Sequence, residues 1–426
     1  MAFTNVQTKL SKALVTNTAG DYALRTVMDG EQDLNGEYLL NEQTTTNMMS
    51  KGTVYRFDGD DDVITVTDSA EIQNIFDNGG YLQAEIYPLS DGENDLGHIV
   101  AKRGGSNVWT WEVSAESAGF VKLTLNYSFS GTDMVASTGA VIPIGEQSKV
   151  GVCFTATAGE VPVFYLNGIA ISSTATTSTG TRTTDVGANL FFGSYNGTFG
   201  VFDGEIGEVM LGNFSPTSSE IKSLISANLP AKWQYGSQVD ILSGWDFTSG
   251  WSVQGGGAID DATTFSSVGA GGISTTANIL EIGKDYRITF ASDDQTCAIR
   301  NGGTEVIGTG DGTYEFTAIA TTLYLRLAAT GTVNVTTLEV VALGAVALYT
   351  QNSMNKEAWV DLANGNDGVI TGCELLNISE GQAVNSLVLT PTTVPAAGYE
   401  GEIRYNTATN KLNVWTGAAW EAVTSA

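Results

Sequence analysis

Short apolar runs, each bounded by Gly, Asn, Asp or Ser, recur along most of the chain. Between residues 51 and 235 they read TVYRF, VITV, YLQAEIYPL, HIVAKRG, VWTWEVS, FVKLTLNYSF, SKVGVCFTAT, VPVFYLNGIAI, ANLFFGSYNG and FDGEIGEVMLG. Each is rich in β-branched and aromatic residues, which predicts a succession of short strands and turns. Strand alternation places Trp109 and Trp111 on one face. Asn167-Gly168 is a two-residue hairpin signal. So many strands in one stretch predict a two-sheet sandwich. Helical spacing occurs at Val6, Leu10 and Leu14. It occurs again after the strands, where Thr217 and Glu220 form a capping box ahead of Ile221, Leu224 and Ile225.

The pattern divides the chain into five parts: an N-terminal attachment segment (1–50), a first sandwich (51–236), a second (237–343), a linker (344–380) and a C-terminal segment (381–426). In the last, GEIRYNT, KLNVWTG and AAWEAV read as a three-strand meander. A lone hairpin of that size is marginal in water, so Tyr405, Trp415 and Trp420 are expected to pack against identical chains. The fold class expected is therefore all-β.

Composition removes several function classes. Lys plus Arg number 19 against 47 Asp plus Glu, a net charge of −28. Phosphate binding needs clustered cations, so neither nucleic acid nor an anionic membrane is an expected partner. Charged residues make up only 15% and hydrophobic residues 42%, too apolar for a disordered chain. No apolar stretch reaches the roughly 18–20 residues that span a bilayer, so no membrane insertion is expected. The N-terminus lacks a continuous apolar core, so no secretory signal is expected. Cys153, Cys297 and Cys373 are too scattered for a disulfide framework or a zinc site and are read as buried free thiols. His98 is the one histidine, which rules out a histidine-rich metal centre.

Within this pattern several segments resemble known families. YRFDGDDDVITV, HIVAKRGGSNVWTWEV, VFYLNGIAI and FDGEIGEVMLGNFSPTSSEIKSL follow the order of a laminin-G or concanavalin-like lectin sandwich. The second module has a W-x-F…GW opening, GKDYRITF, GTYEFT and a final strand reaching LEV. It resembles carbohydrate-binding-module-like jelly rolls. AWVDLANGNDG and GEIRYNTATNKLNVWTGAAWEAV resemble connecting and closing segments of bacteriophage tail-fibre and appendage proteins. These resemblances imply a virion protein, assembled in the host cytoplasm. It would be an appendage, tail-fibre or capsid-decoration subunit, trimeric, attached to other virion proteins through its N-terminal segment. It would bind host-surface polysaccharide by multivalent contact. Two alternatives are a decoration or head-fibre scaffold without a ligand, and a glycan depolymerase.

Candidate chemistry is sparse. Glycan contacts are expected from flat aromatics beside planar polar groups: Trp109 and Trp111, Tyr195 with Asn196, and Trp251 at the start of the second module. Asp58, Asp60, Asp61 and Asp62 crowd one turn and suit a hard cation, so calcium is the candidate ion, although no cofactor is required. Asp91, Glu93 and Asp95 form a second oxygen-rich turn. No enzyme constellation emerges. Glu205 and Glu208 stand three apart and would point to opposite faces of a regular strand. His98 is read as structural rather than as a general base.

Overall fold

The computed structural model describes residues 52–104, 107–197, 199–226, 229–303, 305–378, 403–406, 411–415 and 420–422. The attachment segment 1–50, with its expected helix at Val6, Leu10 and Leu14, lies outside them. Contacts divide the chain into two units, one formed by residues 52–378 and the other by 1–51 with 379–426. The structure is all-β, with one short helix longer than a turn among the described residues.

The first sandwich begins with β1 (Gly52–Asp58), β2 (Val63–Val66), β3 (Gly80–Pro88), β4 (Leu96–Arg103), β5 (Asn107–Ser117), β6 (Phe120–Tyr127) and β7 (Met134–Thr138). It continues through β8 (Ile142–Pro143), β9 (Ser148–Phe154), β10 (Val163–Leu166), β11 (Ile169–Ile171), β12 (Ser173–Ala175), β13 (Asn189–Phe192) and β14 (Asp203–Gly212). One layer pairs in the order β1–β14–β3–β9–β10–β11. The other runs β2–β13–β4–β5–β6–β7–β12. All ladders are antiparallel, and alternate residues fill the space between layers: Leu82, Ala84 and Ile86 from β3 meet Trp109, Trp111 and Val113 from β5 in one core. Asn167 and Gly168 both take positive φ (49° and 78°) between β10 and β11, forming the expected hairpin turn. Helix α1 (Ser218–Ser226) starts at the expected capping box, where Thr217 N–H donates to Glu220 Oε2 (2.9 Å) and Glu220 N–H to Thr217 Oγ1 (3.3 Å).

The second sandwich comprises β15 (Trp251–Ile259), β16 (Thr264–Thr275), β17 (Asp285–Ser292), β18 (Ala298–Asn301), β19 (Glu305–Thr309), β20 (Gly312–Thr317), β21 (Leu323–Leu327) and β22 (Gly331–Ala342). They pair as β19–β18–β21–β16–β22–β17–β20, with β15 on β16, around a separate core that includes Phe247, Phe265, Ile288, Phe290 and Leu325.

The chain then returns to the first sandwich. The stretch 344–380, expected as a linker, contains β23 (Ala345–Met354), β24 (Ala358–Asp361), β25 (Gly368–Thr371) and β26 (Glu374–Ile378). β23 pairs with β14, β25 with β2 and β26 with β1. The second module is thus an insertion in the first. Three of the return strands are only four or five residues long, and their partners lie far away in the chain, which hid their nature. Trp359 packs edge-on to Tyr55 and Phe192, with ring centroids 5.3 and 5.4 Å apart. The motif WVDLANGNDG closes on Asp361, 4% exposed. Asp361 Oδ1 accepts N–H bonds from Leu348 and Ala363, and Oδ2 accepts them from Asn364 and Asn366.

Where the modules join, Asn213, fully buried, donates from Nδ2 to Ser237 O, Gln238 Oε1 and Ala342 O, and accepts from Gly344 N–H. Arg287 reaches from β17 to the carbonyls of Asn78 and Asn213 while pairing with Glu315. Elsewhere in the first sandwich Lys102 is wholly buried, its Nζ 2.7 Å from Asp68 Oδ1 and 3.8 Å from Asp185 Oδ1. Asp185 in turn accepts from Asn74 N–H and Trp109 Nε1–H.

In the C-terminal segment β27 (Ile403–Asn406), β28 (Lys411–Trp415) and β29 (Trp420–Ala422) pair in that order, with Trp415 opposite Trp420 in register. The side chains of Tyr405, Trp415 and Trp420, expected to drive assembly, lie outside what is described.

Candidate functional site

Strand β5 reads W-T-W-E. Its aromatic residues point into the core, so Thr110 and Glu112 point the other way, onto the outer face. Opposite Glu112 on β4 stands His98. A bulge between His98 and Val100 lets His98 face outward while Val100 stays in the core. On β6 the outward residue is Asn126, and on β7 it is Val135.

These side chains form one hydrogen-bonded floor. His98 Nε2 lies 3.0 Å from Glu112 Oε2, and Thr110 Oγ1–H donates to the same oxygen (3.0 Å). The amide nitrogen of Asn126 donates to Glu112 Oε1 (3.0 Å) and Thr110 Oγ1 (3.1 Å). His98 Nδ1 lies 2.8 Å from the carbonyl of Gly200. Both ring nitrogens therefore meet oxygens. Gly200 has φ +62°, and a Cβ there would lie 2.4 Å from His98 Nδ1, so the close approach requires glycine.

Above this floor is a groove of about 320 Å³, lined also by Ser128, Asp133, Tyr195 and Phe199. Its size suits a small ligand. Tyr195 is half-buried, its ring 5.1 Å from that of His98 and 6.1 Å from that of Phe199. The guanidinium of Arg103 lies 4.2 Å from the Tyr195 centroid. Phe199 is 42% exposed. The result is a recessed polar floor with an aromatic rim.

Of the residues expected to touch a glycan, the structure keeps Tyr195 at the groove and leaves Asn196 exposed beside it. Trp109 also borders the groove from below but is 1% exposed, Trp111 is 0% exposed, and Trp251 is 8% exposed against Phe247. These three are core, because burying an indole gains more than burying the neighbouring Thr or Glu. The residues that sequence reasoning missed, Thr110, Glu112 and Asn126, are the polar half of the same alternation. That alternation was the available signal.

Three of the four clustered aspartates come together. Carboxylate oxygens of Asp58, Asp61 and Asp62 lie within 4.8 Å of one another, whereas Asp60 is not in the group. Asp60 N–H instead donates to Asp58 Oδ1 (3.0 Å). Asp62 is 5% exposed and accepts Asp58 N–H (2.8 Å). A Cβ at Gly372, which has φ +83°, would fall 2.0 Å from Asp62 Oδ1. Burial pushes the Asp62 carboxyl up to about 6. The second oxygen-rich turn is used differently: Asp91 accepts Glu116 N–H and Glu93 accepts Val201 N–H.

The raised Asp62 value has a definite sign. Between the ordinary aspartate range and about pH 6 the folded chain binds more protons than the unfolded one, so stability falls as pH rises through that window. Asp62→Asn is expected to flatten that part of the curve and to raise Tm at pH 7 by a few degrees. Thermal melts from pH 4 to 7 check this, and an unchanged slope would refute it.

Glu205 and Glu208 do not point to opposite faces. A bulge between Ile206 and Val209 inserts one extra residue against β3. Ile206 and Val209 are both fully buried in the core, so the carboxylates that precede them share the outer face. Burial raises both, and also Glu85 on the adjoining strand. The three thiols are unpaired, and burial pushes Cys153 and Cys297 up to about 12, far from the reactive thiolate range.

No family model matches the chain, and no curated protein matches it. Among solved structures, a native heptameric SAP-like pentraxin from Limulus polyphemus matches at 16% identity and TM-score 0.33, covering 42% of this chain and 85% of its own. The CBM40 of the Ruminococcus gnavus IT-sialidase, bound to α2,3-sialyllactose, matches at 13% identity and TM-score 0.27, covering 38% of this chain and 96% of its own. At such scores neither likeness bears on function, which is argued from the groove itself.

Proposed function

We propose that this chain is a lectin-like glycan-binding protein, and that the groove over β4–β7 is its binding site. One observation carries the reading: a floor of linked carboxylate, amide, hydroxyl and imidazole groups lies beneath the rings of Tyr195 and Phe199. Sugar hydroxyls take planar acceptors, and sugar C–H faces take aromatic rings. The test is calorimetric titration with neutral oligosaccharides. Tyr195→Ala is expected to weaken binding at least tenfold while the melting curve holds, and equal affinity would remove the groove from the reading.

We further propose that the protein binds without turnover, as an appendage or decoration subunit of a bacteriophage particle, with surface polysaccharide as its ligand. This rests on the resemblance of residues 347–372 and 384–423 to appendage proteins. Avidity from several linked copies would then compensate for weak single sites. Light scattering on the full chain and on a chain ending at residue 380 tests the assembly. A trimer that becomes a monomer on truncation supports the C-terminal segment as the assembly element; a monomer in both refutes it. Calcium at Asp58, Asp61 and Asp62 belongs to the same proposal. It would be an accessory that relieves the crowded carboxylates, read as a higher Tm in calcium than in chelator.

A further inference from the structure

The groove also indicates what kind of glycan it accepts, taking the glycan-binding reading as its premise. Its lining contains two carboxylates, Glu112 and Asp133, and neither lysine nor arginine. The one group there able to carry positive charge, His98, is held between Glu112 and the Gly200 carbonyl. Donors are few for the same reason. The Asn126 amide nitrogen points down to Glu112 and Thr110, and the Thr110 hydroxyl also donates to Glu112. Acceptors are in surplus. With its nitrogen so engaged, Asn126 offers its carbonyl oxygen. Asp133, exposed at the rim, uses Oδ1 to accept Phe129 N–H (2.8 Å), which leaves Oδ2 for a ligand.

An acceptor-rich recess is matched by a ligand that brings donors. Neutral sugars do so through hydroxyls, and amino sugars do so more strongly through an ammonium group, whose hydrogen bonds to a carboxylate are charge-assisted. A sialic or uronic acid brings a carboxylate. That group would enter a recess holding two others, within a chain of net charge −28, and would find no cation in the lining; the nearest, the Arg103 guanidinium, lies against the Tyr195 ring at the rim. We infer that the groove selects uncharged or amino glycans, that Asp133 sets this preference, and that acidic glycans are rejected.

The experiment is calorimetry on the full chain with three matched probes: lactose, 3′-sialyllactose and a chitosan tetrasaccharide. The expected order is chitosan tetramer tightest, then lactose, with sialyllactose at least tenfold weaker than lactose. Asp133→Asn keeps the acceptor for Phe129 N–H and is expected to fold normally. It should cut the advantage of the amino sugar at least threefold and narrow the gap between lactose and sialyllactose. The amino-sugar advantage should also fall as salt is raised. Sialyllactose binding as well as lactose would overturn the selectivity while leaving the glycan reading intact. An unchanged probe order in Asp133→Asn would remove Asp133 from it. Failure of all three probes to bind would overturn both.

Discussion

Asp361→Ala is expected to destabilise the first sandwich by about 3–5 kcal/mol, because it leaves several buried N–H donors unsatisfied at about 1–3 kcal/mol each. Asp361 is the hub of its loop. Its two oxygens accept the N–H groups of Leu348, Ala363, Asn364 and Asn366, and the Asn366 side chain as well. Alanine leaves all of them facing a buried space without an acceptor. The loss reaches beyond the loop. Asn364 donates to the carbonyls of Gly236 and Val346, and the Tyr349 hydroxyl to that of Asn366. Denaturant unfolding followed by tryptophan fluorescence should report the change through Trp359, packed in the same core. Asp361→Asn keeps one acceptor oxygen and should cost less. A loss below about 1 kcal/mol for alanine would mean that the loop holds its shape without the hub.

Lys102→Met is the second large effect, again about 3–5 kcal/mol. The ammonium is wholly buried between Asp68 and Asp185, whose side chains are 12% and 1% exposed. Methionine fills the volume but leaves two carboxylates facing each other in a poorly solvated site. The double variant Lys102→Met with Asp68→Asn removes one of those charges and should recover part of the loss. That recovery separates the electrostatic account from a packing defect, which the second substitution would not repair. No recovery would refute the ion-network account.

The contrast between legible and illegible features has physical roots. Strand succession, the Asn167-Gly168 turn and the Thr217–Glu220 cap are local, set by residues within one turn of each other, and each forms as its residues require. The groove is not local. His98 and Glu112 meet only because β4 and β5 pair in one register, and the bulge at Ile99 that turns His98 outward leaves no local mark. Trp109 and Trp111 share a face as alternation requires, but alternation defines two faces without saying which is buried, and here it is theirs. The stretch 344–380 reads as a linker because three of its four strands are short. Their partners β1, β2 and β14 lie far away in the chain, as the bond from the Tyr55 hydroxyl to the Asn355 carbonyl shows. The Glu205–Glu208 spacing misled for the same reason as His98: one inserted residue reverses a period-two rule.

The return of the chain also fixes how the body would carry a load. The chain enters this unit at Gly52 and leaves it at Ile378, and those two residues face each other across the β1–β26 ladder. Tension applied through the flanking stretches therefore meets at one corner instead of crossing the two sandwiches. It opens that ladder from its end, one pair at a time, starting with Gly52 and Ile378 and moving toward Arg56 and Glu374. Such a joint is mechanically soft. The groove and the inserted module hang off the line of force, and a tug on the chain ends would peel a single strand before it strained either core.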